Sequence, residues 1–104
     1  MNEILDKISE IIETYDSGSW QSVDNLRVLL RELSANYSYL IKYKIEYKNI
    51  HNAIEYKNKK GLGFGKLLAH EQCPELYQCR YVLQAADRVL NSIRSEISTI
   101  NKEG

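Results

Sequence analysis

The side chains best suited to acid–base or metal chemistry are two histidines and two cysteines, His51, His70, Cys73 and Cys79. Neither histidine has a serine or cysteine at a spacing typical of nucleophilic catalysis, so we predict that the chain is not an enzyme. The spacing from His70 to Cys73 to Cys79 differs from the common zinc ligand pairs, and no fourth ligand is evident. We therefore expect surface or half-buried histidines, no metal and no cofactor.

The most informative chemistry lies in a basic, aromatic block in the middle of the chain. Residues 40–66 contain seven lysines against two glutamates, although the whole chain has no net charge. Lysines contact phosphates, and aromatic rings stack on unpaired bases. The block therefore predicts a binding site for single-stranded nucleic acid. Its candidate residues are Lys42, Lys44, Lys48, Lys57, Lys59, Lys60, Lys66, Tyr56 and Phe64.

Two features of this block have simpler explanations. Tyr43 and Tyr47 fall on the apolar stripe of a helix, and we assign them to the core. The segment Gly61-Leu62-Gly63-Phe64-Gly65-Lys66 lacks the spacing and the Ser or Thr of a phosphate-binding Walker loop. We interpret it as a turn between helices, and contact of this turn with nucleic-acid phosphates stays open.

The elements that must position these residues are helices. One proline and five glycines in 104 residues leave few helix breakers. Apolar spacing predicts one all-α domain over residues 1–104, with a helix at about 3–15, a long helix at about 20–57, a Gly-rich turn at about 58–65 and a long helix at about 74–101. Ser19 or Ser22 can cap the first long helix, and Pro74 suits the start of the second.

Each long helix has one apolar stripe. In the first, the stripe consists of Leu26, Leu29, Leu30, Leu33, Tyr37, Leu40, Tyr43, Tyr47, Ile50 and Ile54. In the second, apolar residues alternate by three and four, as in a coiled coil. We predict that this packing or oligomer seam is formed by Leu76, Leu83, Leu90, Ile93, Ile97 and Ile100, together with Cys79 and Ala86. The seam's partner could lie in the same chain or in another.

The length of the first long helix predicts the shape. About 37 helical residues span roughly 55 Å, whereas a compact chain of this length is only about 33 Å across. We therefore expect a rod-like, antiparallel, coiled-coil-like hairpin, with the short first helix folded on it or contributed to a neighbour. Two helices leave a thin core, so we also expect a homo-oligomer.

The segments that direct a chain to membranes or secretion are not evident. The sequence starts Met1-Asn2-Glu3-Ile4-Leu5-Asp6-Lys7, with charges where a signal peptide has an apolar run. No apolar run approaches the roughly 20 residues that span a bilayer. Two cysteines are too few for a disulfide framework. We expect a cytoplasmic protein without a membrane partner.

The order of features resembles a known family, the UvsY-type recombination mediators of bacteriophages. The similar stretches are Tyr39-Leu40-Ile41-Lys42-Tyr43-Lys44, Lys60-Gly61-Leu62-Gly63 and Val89-Leu90-Asn91-Ser92-Ile93-Arg94-Ser95. The resemblance implies a ring-like homo-oligomer that binds single-stranded DNA and helps to load a recombinase in place of a single-strand-binding protein.

Three functional hypotheses follow. The first is a non-catalytic, oligomeric single-stranded-DNA-binding accessory of recombination or replication. The second is a small phage protein whose helical face binds and inhibits or adapts a host protein. The third is a purely structural coiled-coil adaptor. Salt-sensitive DNA binding separates the first hypothesis from the other two.

Overall fold

A computed structural model describes residues 1–58 and 64–103. Within these ranges the chain forms four α-helices and no strand: α1 (Asn2–Asp16), α2 (Val23–Lys57), α3 (Phe64–Gln72) and α4 (Glu75–Glu103). The all-α prediction is confirmed, with α2 and α4 as the arms of the long hairpin. None of the described helices combines the length and the apolar character that crossing a membrane requires.

The molecule is a rod. Its principal extents are 62 × 24 × 20 Å and its radius of gyration is 17.7 Å. A globular chain of about 100 residues has a radius of gyration near 13 Å. The short helix α1 packs against both arms of the hairpin, so it is folded on its own chain. The hairpin end of the rod, where α2 ends and α3 begins, is called the tip below.

The first helix is amphipathic and buries one side. Ile8 and Ile11 are buried, while Ile4, Leu5 and Ile12 are partly buried against the same core. A spacing of three and four residues places these side chains on one face, which explains the docking of α1. The helix ends where Gly18 adopts a φ of 72°, a left-handed conformation that glycine takes without strain.

The start of α2 is set by a capping serine. Ser22 has extended backbone angles, and its hydroxyl accepts a hydrogen bond of 3.2 Å from the backbone N–H of Asn25. This bond satisfies one of the free N–H groups at the helix start. Of the two predicted caps, Ser22 therefore has this role, and α2 begins at Val23 rather than near residue 20.

The buried stripe of α2 differs from the predicted one near the tip. Leu26, Leu33 and Leu40 are completely buried, as expected. Ile50, however, is 44% exposed, and the adjacent His51 is only 5% exposed. A helix turns 100° per residue, so a stripe through Leu40 and Tyr47 reaches His51 in the next turn and leaves Ile50 at its edge. The expectation of surface or half-buried histidines was thus wrong for His51.

The predicted seam of α4 packs within the chain. Leu76, Leu83, Leu90 and Ile93 are buried, as are Cys79 and Ala86. Ile97 and Ile100 are partly buried against the same core. Burying one such aliphatic side chain contributes about 1.5–3 kcal/mol, so the seam is the main link between α4 and the rest of the chain. The helix begins at Glu75, and the Pro74 carbonyl accepts a hydrogen bond from the N–H of Gln78.

The predicted Gly-rich turn is only partly described. Residues 59–63 lie outside the described residues, and α3 already begins at Phe64. Gly65, which we assigned to the turn, is instead a buried helical residue. A Cβ atom built on it would lie 2.5 Å from the Glu55 carbonyl oxygen and 3.1 Å from the Asn58 carbonyl oxygen. Glycine is therefore required here for close contact between α3 and the end of α2.

Candidate functional site

Exposed aromatic and basic side chains occur together at the tip. Tyr56, in the last turn of α2, is 84% exposed, and Phe64, the first residue of α3, is 49% exposed. Lys57 and Lys66 are also exposed. Gly65 lies against the α2 backbone, and this contact keeps Phe64 and Lys66 close to the end of α2. Lys59 and Lys60, two further candidates, lie outside the described residues.

The remaining candidate lysines do not share one face with the tip. Lys48 and Lys57 are nine residues apart and therefore point about 180° from each other around α2. Lys44 and Lys48 line a groove between α2 and α4, whereas Lys57 lines a depression with Gln72 of α3. Lys42 is exposed, and its ammonium lies 5.5 Å from the centre of the Tyr39 ring. The described lysines of the basic block thus lie on two surfaces, the tip and the groove, except Lys42, which belongs to neither.

The groove is open, about 500 Å³ in volume, and is lined by both apolar and charged side chains. Its apolar residues include Ile41, Ile45 and Leu83, and its basic residues are Lys44, Lys48 and Arg80. Asp87 is the acidic residue of this lining. Sequence reasoning missed Arg80, because a residue on α4 can be placed opposite Lys44 only when the register of the two helices is known.

The tyrosines assigned to the core lie there. Tyr43 and Tyr47 are partly buried against the hydrophobic core, and their rings are stacked with centres 6.5 Å apart. Burial, and to a lesser extent the charge of Glu75, raises the pKa of Tyr47 above its usual value. Neither ring offers an exposed face comparable to that of Tyr56.

A cluster of polar aromatic residues lies just below the tip. The Tyr77 hydroxyl oxygen is 3.5 Å from Nε2 of His51 and 3.2 Å from Nε2 of His70. The three side chains come from α4, α2 and α3, so the cluster joins the three helices. The signal available in the sequence was the position of His51, four residues after Tyr47 on the apolar stripe.

The two thiols are buried close to this region. Cys73 donates a hydrogen bond of 3.6 Å to the Tyr47 carbonyl, and the Cys79 sulfur lies 3.4 Å from the Met1 sulfur. Burial raises the pKa of both thiols. In the part of the chain that the structure describes, no group of three or more His, Cys, Asp or Glu side chains could hold a metal ion.

With this geometry established, the chain was compared with known proteins. No family model, curated protein or solved structure matches it. The resemblance to the UvsY-type mediators stays a prediction that depends on sequence features alone, and the function must be argued from the surfaces of the molecule itself.

Proposed function

We propose that this chain is a non-catalytic accessory of recombination or replication that binds single-stranded DNA through the tip of its hairpin. The observation that carries the proposal is the exposure of Tyr56, whose ring is 84% accessible beside Lys57. A large aromatic side chain that contributes so little to the core has a free face for stacking. Phe64 and Lys66 add a second exposed ring and a second cation at the start of α3.

The tip combines the two interactions that hold unpaired nucleic acid. Cations neutralise backbone phosphates, and aromatic faces stack on bases without regard to sequence. Double-stranded DNA offers its phosphates but keeps its bases stacked inside the helix. The proposal therefore favours a single strand over a duplex. Its place is the cytoplasm, and a recombinase or another protein of replication is the expected partner.

Self-association is part of this proposal. Val28, Ile45 and Ile50 are large apolar side chains that each expose more than two-fifths of their surface. A rod only 20–24 Å thick leaves such residues uncovered, and a homo-oligomer would bury them. Several tips in one assembly would bind one DNA strand with an avidity well above that of a single tip.

The test is fluorescence anisotropy of a labelled oligonucleotide, single- or double-stranded, titrated with protein at several salt concentrations. The parent chain should bind the single strand, with log affinity falling linearly against log salt by about 0.7 for each phosphate contact. Replacing both Lys57 and Lys66 by Ala should make this slope shallower by about 1.4. Replacing Tyr56 by Ala should weaken binding by about 5- to 150-fold, because stacking on one base contributes about 1–3 kcal/mol.

Matched controls test whether the losses of binding are specific to the tip or would follow from removing any exposed charge or aromatic ring. Tyr81 on α4 is 77% exposed, so Tyr81→Ala removes an equally accessible ring outside the tip. Arg31→Ala combined with Arg94→Ala removes two exposed charges that also lie outside the tip. Both controls should bind like the parent. Absence of binding by the parent at low salt, or equal losses in tip and control variants, would refute the proposal.

The groove favours a second function, the binding of a protein helix. A groove lined by Ile41, Ile45 and Leu83 together with basic side chains is suited to an amphipathic helix that carries acidic residues. A host protein held stoichiometrically by the parent and lost with Ile45→Asp, but retained with Val28→Asp, would support this alternative. Both positions are partly exposed, so neither change buries a charge.

A further inference from the structure

His51 is the one polar side chain that is buried among the described residues, with 5% of its surface accessible. It lies on the core face of α2, where the apolar stripe predicts an aliphatic residue. A buried imidazole must find a partner, because an unsatisfied polar group costs about 1–3 kcal/mol. The nearby groups that meet this need come from two other helices.

His70 of α3 and Tyr77 of α4 are the residues that offer His51 a polar partner. The centres of the two imidazole rings are 5.3 Å apart, and both Nε2 atoms lie close to the Tyr77 hydroxyl oxygen. They are the only two histidines of the chain. Two imidazole nitrogen atoms and one phenol oxygen atom thus lie close together at the junction of α2, α3 and α4.

The distances between these atoms resemble those of a coordination site. Hydroxyl hydrogen bonds are best near about 2.8 Å, whereas the two oxygen–nitrogen distances are 3.5 Å and 3.2 Å. Ligands about 2.0–2.1 Å from a tetrahedral zinc ion are separated from one another by about 3.3 Å. The two oxygen–nitrogen separations are therefore compatible with two edges of such a tetrahedron. The single hydroxyl proton of Tyr77 can also be donated to only one of the two imidazoles.

We propose that His51, His70 and Tyr77 form a binding site for a divalent transition-metal ion that prefers imidazole, with Zn²⁺ as the reference ion. The two neutral imidazoles donate lone pairs from Nε2. The Tyr77 phenol binds as the phenolate and releases its proton to solvent, so that one M²⁺ replaces one H⁺. The guanidinium carbon of Arg80 lies 5.6 Å from the centre of the Tyr77 ring, where its charge stabilises the phenolate.

The site is accessible from solvent on one side. His70 is partly exposed and Tyr77 is 37% exposed, so the ion and its remaining water can reach the cluster from the surface. A bound ion would connect α3 to both arms of the hairpin. Because such a site forms only in the folded chain, binding raises the unfolding temperature with metal concentration.

The experiment uses Zn²⁺ and Co²⁺ alone, added to chain freed of metal by a chelator. Calorimetric titration of Zn²⁺ in two buffers of different ionisation enthalpy should give one ion bound and one proton released per chain. Thermal unfolding followed by circular dichroism should shift to higher temperature with added Zn²⁺. The absorption spectrum with Co²⁺ should report nitrogen and oxygen ligands, without a thiolate charge-transfer band.

Two variants and one control locate the ion. His70→Gln should lower Zn²⁺ affinity by more than the roughly 10- to 100-fold typical of changes outside the ligand shell. Tyr77→Phe keeps the aromatic ring but removes the hydroxyl, so it should abolish the proton release while weakening binding. Cys79→Ala, which removes a buried thiol outside the cluster, should bind like the parent.

Each contrary result is decisive. If the parent binds no Zn²⁺, or if His70→Gln and Tyr77→Phe bind it as the parent does, the site does not exist. A thiolate band with Co²⁺ would place the ion at a cysteine and overturn the assignment. Because the readouts involve no nucleic acid, they are independent of the proposed DNA binding.

Discussion

Replacement of Gly65 by Ala tests whether close backbone contact holds α3 against the end of α2. The new Cβ atom would lie 2.5 Å from the Glu55 carbonyl oxygen, whereas ordinary van der Waals contact begins at 3.4 Å. The difference means that α3 must move by about 0.9 Å. The opposing atoms are backbone carbonyls near the C-terminus of α2, and they cannot rotate away as a flexible side chain would.

Two opposing terms determine the size of the effect. Overpacking of this kind typically costs about 1–3 kcal/mol. Alanine has a higher helix propensity than glycine, which returns up to about 1 kcal/mol. Since the contact is with backbone atoms, we expect the overpacking cost to prevail, with a net loss of about 1–2 kcal/mol. In a chain of this size that loss lowers the unfolding temperature by roughly 5–15 °C.

The assay combines thermal unfolding with hydrogen exchange of backbone amides. The unfolding temperature should fall, and the amides of α3 should exchange faster than those of α1. Gly18→Ala is the control, because Gly18 has a φ of 72° and open space around it. Gly18→Ala should destabilise the chain through backbone strain. The protection of the α3 amides from hydrogen exchange, relative to the α4 amides, should stay the same. If Gly65→Ala unfolded at the parent's temperature or above, with α3 fully protected, the close-contact argument would be wrong.

Three further predictions concern the core. Leu90→Asp places an unpaired charge at a residue that is 4% exposed, and should lower the free energy of unfolding, measured by urea titration, by about 3–5 kcal/mol. Ile50→Asp, at a residue that is 44% exposed, should lower it by only about 0.5–1 kcal/mol. Equal losses for the two variants would contradict the burial pattern. Burial raises the pKa of Cys73 and Cys79, so iodoacetamide should label neither before unfolding, as mass spectrometry can check. Because folding raises the pKa of these thiols, their contribution to the free energy of unfolding is fully present below the ordinary thiol pKa of about 8.5. The free energy of unfolding should then fall as the pH rises above that value. A free energy of unfolding that rose with pH in this range would contradict the assignment.

The sequence predicted the helices well because their signal is local. The alternation of three and four residues from Leu76 to Ile93 needs no knowledge of the partner, and those side chains are buried. The rod shape followed from helix length alone. Ser22 was one of two residues with the right chemistry for the cap, and its extended backbone angles and the hydrogen bond from Asn25 distinguish it from Ser19.

The parts that the sequence did not predict depend on contacts between helices. His51 and Ile50 are neighbours, and the choice of which one faces the core depends on how α2 meets α3 and α4. Gly65 looked like a turn residue because glycine favours coil in isolation, yet its small size serves helix packing. The meeting of His51, His70 and Tyr77 requires three helices in register, and the sequence indicates only that His51 lies on the apolar stripe of α2.

The two short helices sit at different places along the rod and, within the described residues, do not contact each other. Each of them docks on the hairpin: α1 packs on both arms, and α3 packs on α2 and contacts Tyr77 of α4 through His70. Changes in α1 and in α3 that affect different contacts on the hairpin should therefore have energetic effects that add to within about 0.5 kcal/mol. Evolution can thus remodel the residues of α3 with little penalty at α1, and can alter α1 without disturbing the tip.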